Sequence, residues 1–173
     1  MRRILFLLSV LAALVVTTTP ATAQVVYIQG GAGFPSSTGL NDVYKTGFNA
    51  GLGIGIPITS NVEGLVRGTL DRFENDLAGV GNFASYSATA NLKLNGPQRN
   101  GRVMPYALAG GGLFRLGVED AYSSELGLQF GAGLGIRTAP NTHLLVEPNY
   151  VLVLNEGENT QYFPVRFGVG YRL

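Results

Sequence analysis

The chain has 173 residues, and charged side chains make up 13% of it, about half the roughly 25% usual for soluble domains. Apolar residues reach 46%, glycine is frequent at 25, and neither cysteine nor tryptophan occurs. These values exclude a disordered chain, a disulfide scaffold, a Cys-ligated metal centre and a lipidated Cys. The formal charge of +1 gives no reason to expect nucleic-acid binding, and no run of about 20 apolar residues follows the N-terminus, which excludes a helical membrane bundle.

Met1-Arg2-Arg3 is a short basic start, Ile4 to Val16 is apolar apart from Ser9, and Ala21-Thr22-Ala23 closes a stretch of small residues. Basic end, apolar core and A-x-A site together read as a signal peptide over 1–23, cut before Gln24. The alternative, a membrane anchor, is too short: the apolar run reaches about 20 Å as a helix against a hydrocarbon layer of about 30 Å. Removing Arg2 and Arg3 takes the formal charge from +1 to −1 and leaves one domain, 24–173.

From Gln24 onward the apolar period is two. Eight segments follow it, at 24–34, 46–58, 62–72, 83–94, 103–116, 126–138, 143–154 and 162–173. In the second, Phe48, Ala50, Leu52, Ile54 and Ile56 alternate with Asn49, Gly51, Gly53 and Gly55. In the sixth, Leu126, Leu128, Phe130, Ala132, Leu134 and Ile136 alternate with Gly, Gln and Arg. The connections 35–45, 73–82, 117–125 and 155–161 are long, whereas 59–61, 95–102 and 139–142 are mostly shorter. An even strand count, alternating faces and long loops on one side predict an all-β, eight-stranded, antiparallel up-and-down transmembrane barrel. Pro148, in the middle of the seventh segment, predicts a local break or bulge, while Pro57, Pro105 and Pro164 fall near strand ends.

The face opposite the apolar one carries Glu63, Arg67, Asp71, Lys93, Arg115, Arg137, Glu147 and Arg166. On the lipid side at mid-depth each Arg or Lys would cost about 2–4 kcal/mol, so these side chains are expected in the lumen. A soluble, lipocalin-like barrel would turn the apolar face inward and present many charges outside, and the face available for that role has too few. Three acids then meet five bases. Glu63 and Lys93 are cross-strand candidates, and Glu147 lies between Arg137 and Arg166 on the neighbouring strands. The network is expected to plug the barrel with Glu147 as its most connected acid; the rival is a surplus of Arg lining an anion path.

Phe34, Phe48, Tyr86, Phe114 and Phe163 fall near the long-loop ends of their strands and Tyr106 and Tyr171 near the other end, as two interfacial girdles would. A weak repeat at an offset of 80 gives 11 identities over positions 30–66, including Gly30/Gly110, Phe34/Phe114 and Gly51/Gly131, and it sets Arg67 against Glu147.

The chain closes on Arg166-x-Gly168-x-x-Tyr171-x-Leu173, which resembles the C-terminal assembly signal of outer-membrane barrels, with Leu173 where many members have Phe. The part after the leader as a whole resembles the small eight-stranded outer-membrane barrels, the group of the OmpA transmembrane domain and OmpX. The resemblance implies an integral outer-membrane protein of a Gram-negative-type cell, exported through its leader. It implies recognition by the barrel assembly machinery through Gly168, Tyr171 and Leu173, and contact with outer-membrane lipid and lipopolysaccharide. No peptidoglycan-binding domain is expected after the eighth strand.

No catalytic, cofactor or metal site is expected. Some barrels of this size act on lipid A, one type through a His-x-Ser pair, but here His143 is followed two residues later by Leu145 and starts a strand at the short-turn end. The glycine runs 51–55 and 131–135 lack the following helix that a phosphate loop needs. Glu119-Asp120 and Glu156-Gly157-Glu158 are calcium candidates without the ordered spacing of an EF-hand, so solvated loop charge is the plainer reading. A structural or surface-interaction role through the long loops is expected, with a narrow conduit or a binding site for a small apolar or lipid molecule as the alternative and a lipid A-modifying enzyme as a minority reading. The long-loop side holds Asp42, Glu74, Asp76, Glu119, Asp120, Glu125, Glu156 and Glu158 against Lys45, and the short side holds Arg99, Arg102 and Arg172. Those acids either point into water or bridge to lipopolysaccharide through divalent cations. Long loops outside and both termini periplasmic follow, so protease added to intact cells should cut within 117–125 or 73–82; cleavage confined to 95–102 would reverse the topology.

Overall fold

The computed structural model describes residues 24–37, 40, 43–75, 81–99, 101–118, 121–155 and 157–173. The expected leader 1–23 and the loop acids Asp42, Asp76, Glu119, Asp120 and Glu156 lie outside them. Eight strands follow in order: β1 (Val25–Pro35), β2 (Gly47–Pro57), β3 (Val62–Phe73), β4 (Phe83–Asn95), β5 (Val103–Val118), β6 (Ala121–Ala139), β7 (Thr142–Leu154) and β8 (Thr160–Arg172). Each pairs antiparallel with its successor, and β1 pairs with β8 from Val25↔Arg172 to Pro35↔Tyr162, so the barrel closes and no sheet edge runs its length. The start of β1 and the end of β8 share one end, here the terminal end, with the β2–β3, β4–β5 and β6–β7 connections. The other four connections make the loop end.

The barrel is inside out relative to a soluble one. Ile28, Leu52 and Leu126 are 61%, 63% and 64% exposed on the outer wall, while Arg67, Asp71 and Glu147 are 1%, 0% and 1% exposed inside. In water each bared Leu or Ile would forgo about 1.5–3 kcal/mol of burial; against acyl chains it forgoes nothing. The period-two pattern therefore encodes two solvents, lipid outside and protein inside.

Three expectations need correction. The connection between β5 and β6 is not a long loop: the ladder runs on to Val118↔Ala121. Since β6 finds β7 only from Leu126↔Leu154, residues 121–125 stand above that neighbour as one arm of a projecting hairpin. Ala121, Tyr122, Ser123 and Ser124 are all exposed, so this arm is held by backbone pairing and carries no alternation to read.

Phe114 and Tyr106 leave the proposed girdles and point inward, 1% and 5% exposed, whereas Phe34, Phe48, Tyr86, Phe163 and Tyr171 face outward. In β5 the inward set is Tyr106, Leu108, Phe114 and Leu116, and apolar Ala107, Ala109 and Leu113 occupy the other face, so alternation alone leaves its facing undecided. The same fact undoes part of the repeat: Phe34 faces out and its counterpart Phe114 faces in, although Gly51/Gly131 and Arg67/Glu147 do share a face.

At Pro148 the ladders lapse. The β6–β7 register passes from Gly131↔Asn149 to Leu134↔Val146, and the β7–β8 register from Pro148↔Val165 to Val151↔Tyr162. Pro148 lies in the first gap and the second falls where Asn149 would face Pro164, so each of the two adjoining breaks holds one residue without an N–H. A second irregularity, between Arg137 and Ala139, closes the β6–β7 turn.

Leu52 sits mid-strand on the lipid side. Leu52→Arg should lower the unfolding free energy of the refolded barrel in bilayers by about 2–4 kcal/mol, read from urea titration. An unchanged value would contradict the lipid-facing assignment.

Candidate functional site

The lumen holds the chemistry. Polar residues reach it because β3 and β4 place their odd-numbered side chains inward, as β7 does and as β8 does with its even ones. Six of the eight expected charges lie there, Glu63, Arg67, Asp71, Lys93, Glu147 and Arg166, all buried. Arg115 and Arg137 do not: both are exposed. Arg115 falls on the outer face of β5, between Phe114 and Leu116, which turn inward. Arg137 reaches the rim at the terminal end, where its N–H donates to the Arg102 carbonyl.

With those two outside, the lumen carries three acids and three bases among the described residues, joined in three ion pairs. The central pair is Arg67–Glu147. Arg67 Nη1 donates to Glu147 Oε1 at 2.7 Å and Nη2 to Oε2 at 3.1 Å, a fork-to-fork contact. Tyr106 OH donates to Oε2 at 2.9 Å and Asn149 Nδ2 to Oε1 at 3.0 Å, so Glu147 accepts four hydrogen bonds. Its β8 neighbour in register, Arg166, pairs instead with Asp71, and Arg137 takes no part.

Toward the terminal end, Lys93 Nζ donates to Tyr27 OH at 2.7 Å, and Tyr27 OH donates to Glu63 Oε1 at 2.7 Å. Lys93 and Glu63 are cross-strand partners 3.7 Å apart, with the phenol wedged between them. The ammonium also lies 4.6 Å and 4.5 Å from the ring centres of Tyr27 and Tyr106.

Toward the loop end, Arg166 Nη2 lies 3.9 Å from Asp71 Oδ1, while Thr69 and Tyr162 hydroxyls donate to Asp71 Oδ2 at 3.2 and 3.3 Å. Gln129 links the upper and central pairs: the amide orientation that satisfies both guanidinium groups has its oxygen accepting from Arg166 Nη1 at 2.8 Å and Arg67 Nη1 at 3.1 Å.

An apolar floor caps this charged layer on each side. Leu40, Phe73, Phe83, Phe114, Leu116, Val151, Val153 and Tyr162 fill the loop end. Val25, Tyr27, Leu65, Tyr106, Leu108 and Leu145 fill the terminal end. Neither floor was expected from sequence, nor were the tyrosines that bridge charge to apolar packing. The usable signal was parity: Tyr27 and Tyr162 alternate in step with Val25 and Gln29 on β1 and with Arg166 on β8.

Gly168 turns inward against Gln29, and Tyr171 and Leu173 lie outward at the end of β8, 50% and 52% exposed. His143 opens β7 opposite Gly170 and Arg137, at the end away from the loops.

A closed eight-stranded barrel with an apolar wall and a filled polar lumen defines an outer-membrane β-barrel. The family model described as the outer membrane protein beta-barrel domain matches residues 7–172, and the chain belongs to that family. Its fold is similar to the crystal structure of Neisserial surface protein A, with a TM-score of 0.71 at 20% identity, covering 87% of this chain and 97% of that one. The N-terminal barrel of Pseudomonas aeruginosa OprF aligns with a TM-score of 0.58 at 16% identity over 87% and 97% of the two chains. Ail, the attachment invasion locus protein of Yersinia pestis, aligns with a TM-score of 0.50 at 20% identity over the same shares. No curated protein matches the sequence significantly.

Glu147→Ala should cost about 3–5 kcal/mol, because it strands a buried guanidinium. Removing Arg67 as well should cost less than the sum of the two single changes, and urea unfolding of the four chains in micelles measures the coupling. Strict additivity would show that the pair contributes nothing as a pair.

Proposed function

We propose that this is a non-catalytic outer-membrane barrel that acts at the cell surface through its loop end, with the lumen serving as a structural plug. The observation that carries the reading is the neutral, layered interior: three paired charges of each sign between two apolar floors leave no line of unpaired Arg for an anion to follow. The leader 1–23 exports the chain, the assembly machinery reads Gly168, Tyr171 and Leu173, and the loops face outward with both termini periplasmic.

The projecting β5–β6 hairpin supports the surface role, since residues 121–125 offer backbone groups that β7 does not cover. Likeness in fold to a Neisserial surface protein and to an attachment protein supports it further. Ail has been crystallised with the heparin analogue sucrose octasulfate. The loop end of this chain carries acids, Glu74, Glu125 and Glu158 among the described residues, and so favours a neutral or basic partner over such a polyanion. His143, the one imidazole, stands at the opposite end from the loops, which disfavours the lipid A enzyme.

In planar bilayers the purified barrel should pass no steady current; a stable, anion-selective current would favour the conduit reading. Replacing 117–122 by Asn-Gly keeps Leu116 facing Ser123 in register and trims the hairpin. That variant should insert and resist heat like the parent while cells bearing it lose attachment to matrix-coated surfaces. Undiminished attachment would remove the hairpin from the proposal.

A further inference from the structure

The mouth at the terminal end carries a row of basic side chains that the lumen network does not use. Arg102 stands one residue before β5, and its carbonyl accepts the Arg137 N–H at 2.8 Å, so the ladder runs one rung past the strand. Arg137 is in register with His143 on β7, and His143 with Gly170 on β8, two residues before Arg172. The Arg172 N–H donates to the Asn141 carbonyl at 2.8 Å, which ties it to the β6–β7 turn. Side chains alternate along a strand, and each of the four falls in step with an inward-facing position: Arg102 with Tyr106, Arg137 with Gly135, His143 with Leu145 and Arg172 with Gly170. The ends of four consecutive strands, β5 to β8, thus set one basic group each on the inner lip of the mouth. Strands β1 to β4 and the connection 58–61 set none there; Lys93 of β4 is buried deeper, beside Glu63.

Barrel stability gains nothing from this arrangement. Like charges opposite one another across two strands are destabilising, and Arg102 and Arg137 form such a pair. No acid lies within ion-pair distance of Arg102, Arg137 or Arg172 among the described residues. Glu63 is the one acid of this end among them, and Tyr27 and Lys93 occupy it. His143 is within electrostatic reach of Arg137, Arg172, Lys93 and Glu63, so the guanidinium groups of β6 and β8 stand around the imidazole. The backbone beneath the row is fixed. Gly101 takes a left-handed φ of 67°, Gln98 Nε2 donates to its carbonyl at 2.9 Å, and the Arg102 N–H donates to the Arg99 carbonyl at 3.1 Å. Below lies the apolar floor that includes Val25, Tyr106 and Leu145, so a ligand held by the row lies across the mouth and goes no deeper.

We propose that this arc binds an acidic peptide segment of a soluble partner on the terminal side of the membrane, laid across the mouth with its carboxylates against Arg102, Arg137 and Arg172. The arc covers three interstrand spacings, about 15 Å, which is the length of four to five extended residues at about 3.3 Å each. A single phosphate or carboxylate would fill only one of those spacings. Planar guanidinium forks match carboxylates in bidentate contact, and His143 adds a donor between the arginines. The groups face the barrel axis. A phospholipid headgroup meets the opposite, outer face of the wall, where Tyr171 and Leu173 are exposed. The compartment in which the partner lies follows from the topology proposed above; the chemistry of the arc does not depend on it.

The test uses the whole barrel refolded into phosphatidylcholine nanodiscs, which leave both ends in water, with a fluorescent hexaglutamate peptide as probe and hexaglutamine as its neutral counterpart. Hexaglutamate should bind the wild type saturably and hexaglutamine should not. Arg102→Ala/Arg137→Ala should weaken binding about tenfold or more, the scale of one lost charge-assisted hydrogen bond. Arg72→Ala/Arg115→Ala removes the same net charge from exposed positions on the outer wall near the loop end and should leave binding unchanged. Arg137→Ala should weaken binding more than Arg99→Ala, although each removes one charge from the same end. Because it relieves a like-charge contact, the Arg102/Arg137 double variant should melt no lower than the wild type, which separates loss of binding from loss of fold. Should it fail to insert, Arg137→Gln against Arg99→Gln decides. Equal losses in the Arg99 and Arg137 variants, retained binding in the double variant, or tighter binding of inorganic tripolyphosphate than of hexaglutamate would each overturn the proposal. So would a thermal shift on adding phosphatidylglycerol that the double variant lacks, since the arc would then be a lipid site.

Discussion

Arg67 and Glu147 meet across the lumen, from β3 to β7, four strands apart in a ring of eight. A buried guanidinium and a buried carboxylate are each several kcal/mol out of favour when alone, and their attraction offsets that only with good geometry and every remaining group satisfied. The bidentate contact, Tyr106, Asn149 and Gln129 meet most of that requirement from β5, β7 and β6, and Arg67 Nε is left without a hydrogen-bond partner among the described residues. The pair therefore ties opposite sides of the barrel in a way that backbone ladders between neighbours cannot. It also fixes the spacing of what lies above and below, since Tyr106 serves both the central pair and the terminal-end floor.

The glycines follow from that constraint. A Cβ on Gly133 would run into the Tyr106 ring, and one on Gly55 would meet the Glu63 carboxylate and, at 2.9 Å, the Tyr27 ring. Two of the three charged layers thus depend on a bare backbone opposite a large polar or aromatic side chain. An eight-stranded barrel has an interior just wide enough for its own side chains. Filling it with arginine, lysine and three tyrosines requires the wall to give up volume elsewhere. The alternation of large apolar residues outside with glycine inside on β2 and β6 is the sequence record of this exchange.

How much was legible divides along the same line. Period-two patterning carries strand number, order and facing wherever one face is apolar and the other small or charged, as on β2, β3, β4 and β8. It fails on β5, where Leu113, Phe114 and Leu116 put apolar side chains on both faces after the Gly110–Gly112 run, and the charge of Arg115 pointed to the wrong side. It fails again at 121–125, where pairing rather than burial makes the strand. Cross-strand reasoning finds Glu63 beside Lys93 because neighbours in register are neighbours in sequence order. Neighbour logic offers no route to Arg67 and Glu147 as partners. The sequence shows the 80-residue offset between them, but its meaning, half a circuit of the ring, needs closure to be known.

A lumen filled by paired charges between two apolar floors turns attention to the outside of the barrel. The outside is divided by charge: acids on the loops at one end, arginines at the turns of the other, and on the wall just below the loop end two guanidinium groups without an ion-pair partner among the described residues. Nothing in barrel stability asks for Arg72 or Arg115, because both stand in a lipid-facing register where an apolar residue serves the fold as well or better. The β5–β6 hairpin is equally surplus to closure, yet its Tyr122 lines a cleft together with Arg72 and Tyr86 and carries the Arg115 guanidinium over its ring. The departures of the outer wall from an idealised barrel are therefore gathered in one sector, β3 to β6 at the loop end, and the surface role is to be sought there rather than in the interior.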